Sequence, residues 1–112
     1  MRLSTFLLLD RDPTVPDDDP LTRAVETCVA AERAGLDGVW VAEHHFRDFG
    51  GMPNPAVLLA HVAARTERIR LGPAVSVLPF RDPRLVAEDY GLVDRLSGGR
   101  LVMGVGAGTL DF

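Results

Sequence analysis

One cysteine, Cys28, is all this sequence contains, so no disulfide can close within the chain, and a reducing, cytoplasmic setting is the expectation. Its neighbours Leu21, Val25 and Val29 make it read as a small core hydrophobe on a helix. Long apolar runs are missing too. At the N-terminus the unbroken stretch is Phe6-Leu7-Leu8-Leu9, shorter than the ~7–15 apolar residues of a secretion signal and followed by no small-residue cleavage site. No segment approaches the ~20 apolar residues of a membrane helix, so no membrane partner is expected. Positive charge is scarce: 12 Lys and Arg stand against 16 Asp and Glu, a net charge of −4, and the arginines are scattered. That removes the basic footprint of a nucleic-acid binder. Metal ligands are missing as well. No helical His-Glu-x-x-His and no cysteine cluster is present, and adjacent His44 and His45 on a strand would point to opposite faces.

What is present is ordinary globular material, 46% apolar and 25% charged over 112 residues, enough for one core. Leu3 to Leu9 reads as a first strand that stops at Asp10-Arg11-Asp12-Pro13. Leu21, Val25, Cys28, Val29 and Glu32 then follow helical spacing, with Asp19 as N-cap, Pro20 at the first helical position and Gly35 just past the end. Gly38 to Ala42 is a second strand, and a glycine-rich loop runs from Phe46 to Pro53. Asn54-Pro55 repeats the cap-plus-proline start of a helix reaching to about Thr66. Ile69 to Val77 is a third strand, interrupted at Gly72-Pro73; Asp82-Pro83 opens a third helix that stops at Ser97-Gly98-Gly99; Leu101 to Val105 is a fourth strand. The repeated βα unit predicts a parallel sheet with right-handed crossovers, either an open doubly wound sheet or part of a closed (β/α)₈ barrel. A barrel takes ~250 residues. The expectation is therefore a truncated form, with 1–112 ending after the fourth strand.

Chemistry concentrates in Glu43-His44-His45-Phe46, which closes the second strand where a parallel α/β fold forms its ligand-binding face. An imidazole with an ordinary pKa near ~6.5 exchanges protons at neutral pH, so one of these histidines is a general acid or base, or else a structural hydrogen-bonded residue. Strand alternation puts Trp40, Ala42 and His44 on one face and Val39, Val41 and Glu43 on the other. One histidine, not both, should then face a site, and Glu43 should be a buried acceptor for backbone or arginine donors or part of a subunit contact. Gly104-Val105-Gly106-Ala107-Gly108 resembles a phosphate-cradling loop but lacks the third glycine and the position of the dinucleotide fingerprint, so a tight turn with room for a close neighbour is the plain reading. Gly72-Pro73 marks a bulge, or a break that presents backbone near Ala74 to a flat ligand.

The order and spacing of Glu43-His44-His45-Phe46, Asn54-Pro55, Arg70-Leu71-Gly72, Val77-Leu78-Pro79, Ala87-Glu88-Asp89, Asp94 and Ser97-Gly98-Gly99-Arg100 resembles the bacterial luciferase-like flavin monooxygenases over the whole chain. The resemblance implies the N-terminal half, about four βα units, of a (β/α)₈ TIM barrel that is commonly dimeric. It implies reduced FMN as cofactor, or the deazaflavin F420 in some relatives, with dioxygen and a small organic substrate, and a flavin reductase as a partner supplying the reduced cofactor. His44 matches the histidine of acid/base catalysis. Ala42, His45, Ala74, Val75 and Gly106 match cofactor-binding positions, Ala74-Val75 as a non-proline cis peptide packed against the flavin and Gly106 as a fourth-strand position beside it. Gly106 stands where the luminous subunits carry a reactive cysteine, and Ala107 where they place an arginine near the cofactor phosphate, so light emission is not among the expectations. Oxygenation by positioned flavin is, with deazaflavin-dependent hydride transfer or a non-catalytic half-barrel as the rivals.

Overall fold

Helix starts explain most of the architecture, because the same short device begins each crossover. In the computed structural model, which describes residues 1–47 and 50–109, α1 (Pro20–Arg33) opens with the Asp19 carboxylate accepting from Leu21 N at 3.1 Å. The later helix α3 (Pro83–Leu96) opens with Asp82 accepting from Arg84 N at 2.9 Å. In both, proline occupies the first turn, where its missing N–H costs nothing. Between them α2 (Pro55–Ala63) also begins at a proline, but the Asn54 side chain makes no capping bond, and its Oδ1 is buried with no hydrogen-bond partner. Two residues of the glycine-rich loop, Asp48 and Phe49, and the last three, Leu110 to Phe112, lie outside the described residues.

The helices end as their residues dictate. In α1 Gly35 takes φ +83, and Leu36 N reaches back to Ala31 O at 3.0 Å, a Schellman closure; α3 repeats it with Gly98 at φ +68 and Gly99 N to Asp94 O at 2.8 Å. The second helix stops earlier than its apolar stripe predicts. Thr66 Oγ1 donates to Val62 O at 2.8 Å and Arg65 N to the same carbonyl at 3.0 Å, which replaces the next helical turn by a side-chain bond.

The strands β1 (Ser4–Leu7), β2 (Gly38–Val41) and β3 (Arg70–Pro73) form a parallel sheet in the order β1-β2-β3, with Ser4, Gly38 and Arg70 in register. Past β3 the chain makes β4 (Ser76–Val77) and a 3₁₀ turn, Leu78–Phe80, and after α3 it returns as β5 (Val105–Gly106), parallel to β4. A bridge between Leu71 and Leu101 carries the pairing from β3 to the same returning segment. Strands therefore follow one another in sequence order. A doubly wound sheet would reverse direction at its middle; this order is the barrel-type progression, although no barrel is closed among the described residues.

Two predicted strands differ in detail. The third is continuous through Gly72-Pro73 and breaks at Ala74–Val75, whose peptide bond is cis. Gly72 belongs in the ladder because a Cβ there would lie 2.3 Å from Val102 O and 2.4 Å from the Trp40 ring. The fourth strand is displaced towards the C-terminus: only Leu101 bridges early, and regular pairing begins at Val105.

All three helices pack on one face of the sheet. Val39, Val41 and Leu71 from the strands are fully buried against Cys28 of α1, Leu59 and Val62 of α2 and Val93 of α3. Each such side chain contributes roughly 1.5–3 kcal/mol by leaving water. The other face carries the register partners Phe6, Trp40 and Gly72, and Phe6 remains 55% exposed.

Candidate active site

Every strand of the sheet ends on the same side, and the segments leaving those ends enclose a cleft of about 410 Å³. From β1 comes Phe6; from the segment after β2 come Ala42, Glu43, His44, His45 and Arg47; from the β3–β4 break come Ala74, Val75 and Val77; Phe80, Gly108 and Thr109 complete the lining. Side chains at strand ends are held by the ladder behind them, which is why this rim is where parallel α/β proteins place chemistry. A larger groove, about 660 Å³, lies between α1 and α2 and contains none of the predicted site residues. It is walled by residues of α1 and α2 and by Gly51, Met52, Pro53 and Asn54 of the loop between β2 and α2.

Five of the six predicted site residues, Ala42, His44, His45, Ala74 and Val75, meet in the cleft. Gly106 does not line it. Its Cα lies under Val75, where an added Cβ would be 2.7 Å from Val75 Cγ2, so Gly106 makes room for a cleft residue instead of forming the wall. The same close approach explains its neighbours: a Cβ on Gly104 would meet Pro73 O at 2.5 Å and one on Gly108 would meet Val77 Cγ1 at 2.6 Å. The glycine run thus fits closely against the adjacent strand, and Gly108 also reaches the cleft.

Strand alternation fails beyond β2. Both histidines line the cleft, and so does Glu43, because the β2 ladder ends at Val41 and the residues after it are no longer held to opposite faces. Glu43 is the buried acceptor expected, but its partners are a histidine and a backbone amide. Its side chain is 2% exposed, with Oε1 2.7 Å from His45 Nε2 and Oε2 accepting from Val77 N at 3.1 Å. The His45 ring packs at 4.9 Å, tilted by 56°, against Phe80. The His44 backbone N donates to Met52 O at 3.0 Å, which folds the loop after β2 back along the histidine, and Gly50 N donates to the Asp10 carboxylate from the loop after β1.

Behind Glu43 lies Tyr90 of α3, 3% exposed, its hydroxyl making no hydrogen bond of good geometry. Burial pushes the phenol up to about 12, the Glu43 charge adds to that, and the adjacent Ser76 hydroxyl opposes it. Tyr90 and Glu43 are residues that sequence reading did not assign to the site. Tyr90 carries no local signal, whereas Glu43 was visible as an acid beside two histidines. Phe46, after the histidines, is 96% exposed and holds φ +54, an unusual conformation for an aromatic residue.

The family profile described as luciferase-like monooxygenase matches residues 1–111. Among curated relatives, the alkanal monooxygenase alpha chain of the Kryptophanaron alfredi symbiont is 35% identical over 99% of this chain. The oxygenase component of the flavin-dependent trigonelline monooxygenase of Acinetobacter baylyi is 34% identical over 100% of it. The chain spans 31% of the length of each. Of solved structures, the oxygenating constituent of 3,6-diketocamphane monooxygenase from Pseudomonas putida, in complex with FMN, superposes with a TM-score of 0.89 at 26% identity, covering 97% of this chain and 30% of that one. The coenzyme F420-dependent tetrahydromethanopterin reductase of Methanopyrus kandleri superposes at 0.77 with 25% identity, covering 96% and 27%. The match along almost the whole chain, on a sheet whose strand ends gather the paired histidines and the cis peptide, means that this chain belongs to the luciferase-like monooxygenase family.

Proposed function

We propose that this chain forms one wall of a reduced-FMN site, in the N-terminal half of a (β/α)₈ enzyme that uses dioxygen to oxidise a small organic substrate. The observation that carries the reading is the convergence of Ala42, His44, His45, Ala74 and Val75 on one cleft at the strand ends. The residues fit a flat heteroaromatic ring: Ala42 and Ala74 stop at Cβ, while His44, His45, Arg47 and Thr109 supply polar groups to the same space. Bound reduced FMN would supply the electrons that activate dioxygen.

The chain's own part is placement, water exclusion and proton handling. Ala42, Ala74 and Val75 would lie against the ring, and Gly106 would keep Val75 in position from beneath. His44 would give or take a proton at the reacting group, with its backbone fixed by Met52. A reductase partner would deliver the reduced cofactor, as the relative named an oxygenase component implies a separate companion. Assembly as a homo-oligomer belongs to the same reading. The second reading, F420-dependent hydride transfer, is favoured by the likeness to the tetrahydromethanopterin reductase, which is the weaker of the two superpositions.

Titration of the chain with FMN and with F420, followed by flavin fluorescence, separates the readings: FMN should bind and Ala74→Trp should abolish binding by filling the cleft. Equal affinity of the unaltered and Trp variants would remove the cleft as the cofactor site. In a full-length protein carrying this segment, His44→Ala should lower kcat at least about a hundredfold with reduced FMN and dioxygen. Undiminished turnover would take His44 out of the reaction.

A further inference from the structure

One buried carboxylate ties together two walls of the cleft. Glu43 reaches from the segment after β2 to β4, with Oε1 on His45 Nε2 and Oε2 on Val77 N. Val77 stands two residues beyond the Ala74–Val75 bond, so the histidine wall and the Ala-Val wall share a single anchor. Among the described residues no arginine or lysine pairs with this carboxylate. An anion this deeply buried persists only with fixed donors. Ionised, it can only accept, so His45 must present Nε2–H to it, and in the neutral ring Nδ1 becomes the accepting nitrogen. The Phe80 ring, 4.9 Å from that of His45, packs against the same imidazole.

We propose that Glu43 is a positioning residue for the cleft: by accepting from His45 and Val77 together, it selects the His45 tautomer and fixes the spacing between the histidine wall and the Ala74–Val75 wall. Its consequence for cofactor binding rests on the flavin reading above. Neither partner alone would need a carboxylate there, since a backbone amide is satisfied by any acceptor and a histidine by water. Bridging both is what requires two oxygens on one buried group.

The test uses the ¹⁵N-labelled chain and its Glu43→Gln variant, read by the imidazole nitrogen shifts of His45, by exchange of the Val77 amide, and by FMN titration. The unaltered chain should show His45 protonated at Nε2 and a protected Val77 amide. Glu43→Gln, whose amide can both donate and accept, should mix the tautomers, speed Val77 exchange and weaken FMN about tenfold, the size of one lost charge-assisted hydrogen bond. His45→Gln removes the other end of the joint and should weaken FMN similarly, and the double variant should be no weaker than either single one. It also serves if Glu43→Gln does not fold. An unchanged His45 tautomer in Glu43→Gln, or additive losses in the double variant, would overturn the proposal. If the unaltered chain binds no FMN, the flavin reading falls, while the tautomer comparison, which needs no flavin, still decides whether Glu43 sets His45.

Discussion

Glu32 fastens the end of α1 to the entry of β3 through one carboxylate. It sits in the last turn of α1, and its carboxylate accepts the backbone N–H groups of Glu67 (3.0 Å), Arg68 (2.7 Å) and Ile69 (2.8 Å), three consecutive donors at the entry to β3. Glu32→Gln keeps the shape but removes the charge and turns one acceptor into a donor. Hydrogen bonds to a charged group contribute ~1.5–3 kcal/mol against ~0.5–1.5 for neutral ones. The Glu67 and Arg68 bonds are exposed and can be replaced by water, so the Ile69 bond dominates and the expected loss is about 2 kcal/mol, or roughly 10 °C in Tm. Burial on its own would raise the Glu32 carboxyl, but the three amides, helped by the Arg100 charge, hold it below its ordinary value. A depressed folded pKa means the stabilisation is complete above the unfolded value, near 4.5, and is lost as pH falls through the folded one. Urea unfolding followed by Trp40 fluorescence should therefore show a gap of about 2 kcal/mol between the two proteins at pH 7 that closes towards pH 3. A gap that stays constant across that range, or one below about 0.5 kcal/mol at pH 7, would refute the reasoning.

Arg100→Lys should destabilise by about 2 kcal/mol in the same assay, because one ammonium cannot replace a guanidinium that reaches Ala63 O at 2.9 Å, Thr66 O at 3.0 Å, Ile69 O at 3.1 Å and Ser97 O at 2.7 Å. Gly72→Ala should cost about 3 kcal/mol or prevent folding, since its Cβ would have to displace a backbone carbonyl and the Trp40 ring; a fully folded variant with unaltered Trp40 emission would contradict the close approach. Cys28 is fully buried, and burial pushes its thiol up to about 11, so a thiol reagent at pH 8 should label it only as fast as the chain unfolds. Rapid labelling of the folded protein would show that α1 is not packed as described.

What could be read from the sequence was what depends on near neighbours. Asp19-Pro20 and Asp82-Pro83 start helices through bonds two residues long, and Gly35 and Gly98 end them through positive φ, so each boundary is written within a few positions. Asn54-Pro55 looks the same in sequence but makes no side-chain cap. The strand order was legible as alternating βα units, and the rim as the place where the apolar run of β2 meets charge. Glu32 and Arg100 gave no comparable signal. Ser97 apart, their partners lie more than 30 residues away in sequence, and a carboxylate on the last turn of a helix reads as an ordinary solvated residue until the loop that it grips is in place.

The site divides along the same line. Alternation placed His44 and Glu43 on opposite faces, which would be right for as long as the ladder ran; once it stops at Val41, the direction of each later side chain is set by what lies across the cleft. For Glu43 that is the Val77 amide, 34 positions further on, and for His45 it is Glu43 itself, so the orientation of one histidine is decided through a strand distant in sequence. The glycine run follows suit: its small residues were visible, but the room they leave is taken by Pro73 O, Val75 and Val77 of the neighbouring segment. Two separate features, the Glu43 carboxylate and the missing Cβ of Gly106, therefore act on the same short stretch around the Ala74–Val75 bond, one from the histidine side and one from beneath. A cleft wall braced from two directions is held to one shape before anything binds, and preorganisation of that kind reduces the ordering cost of binding.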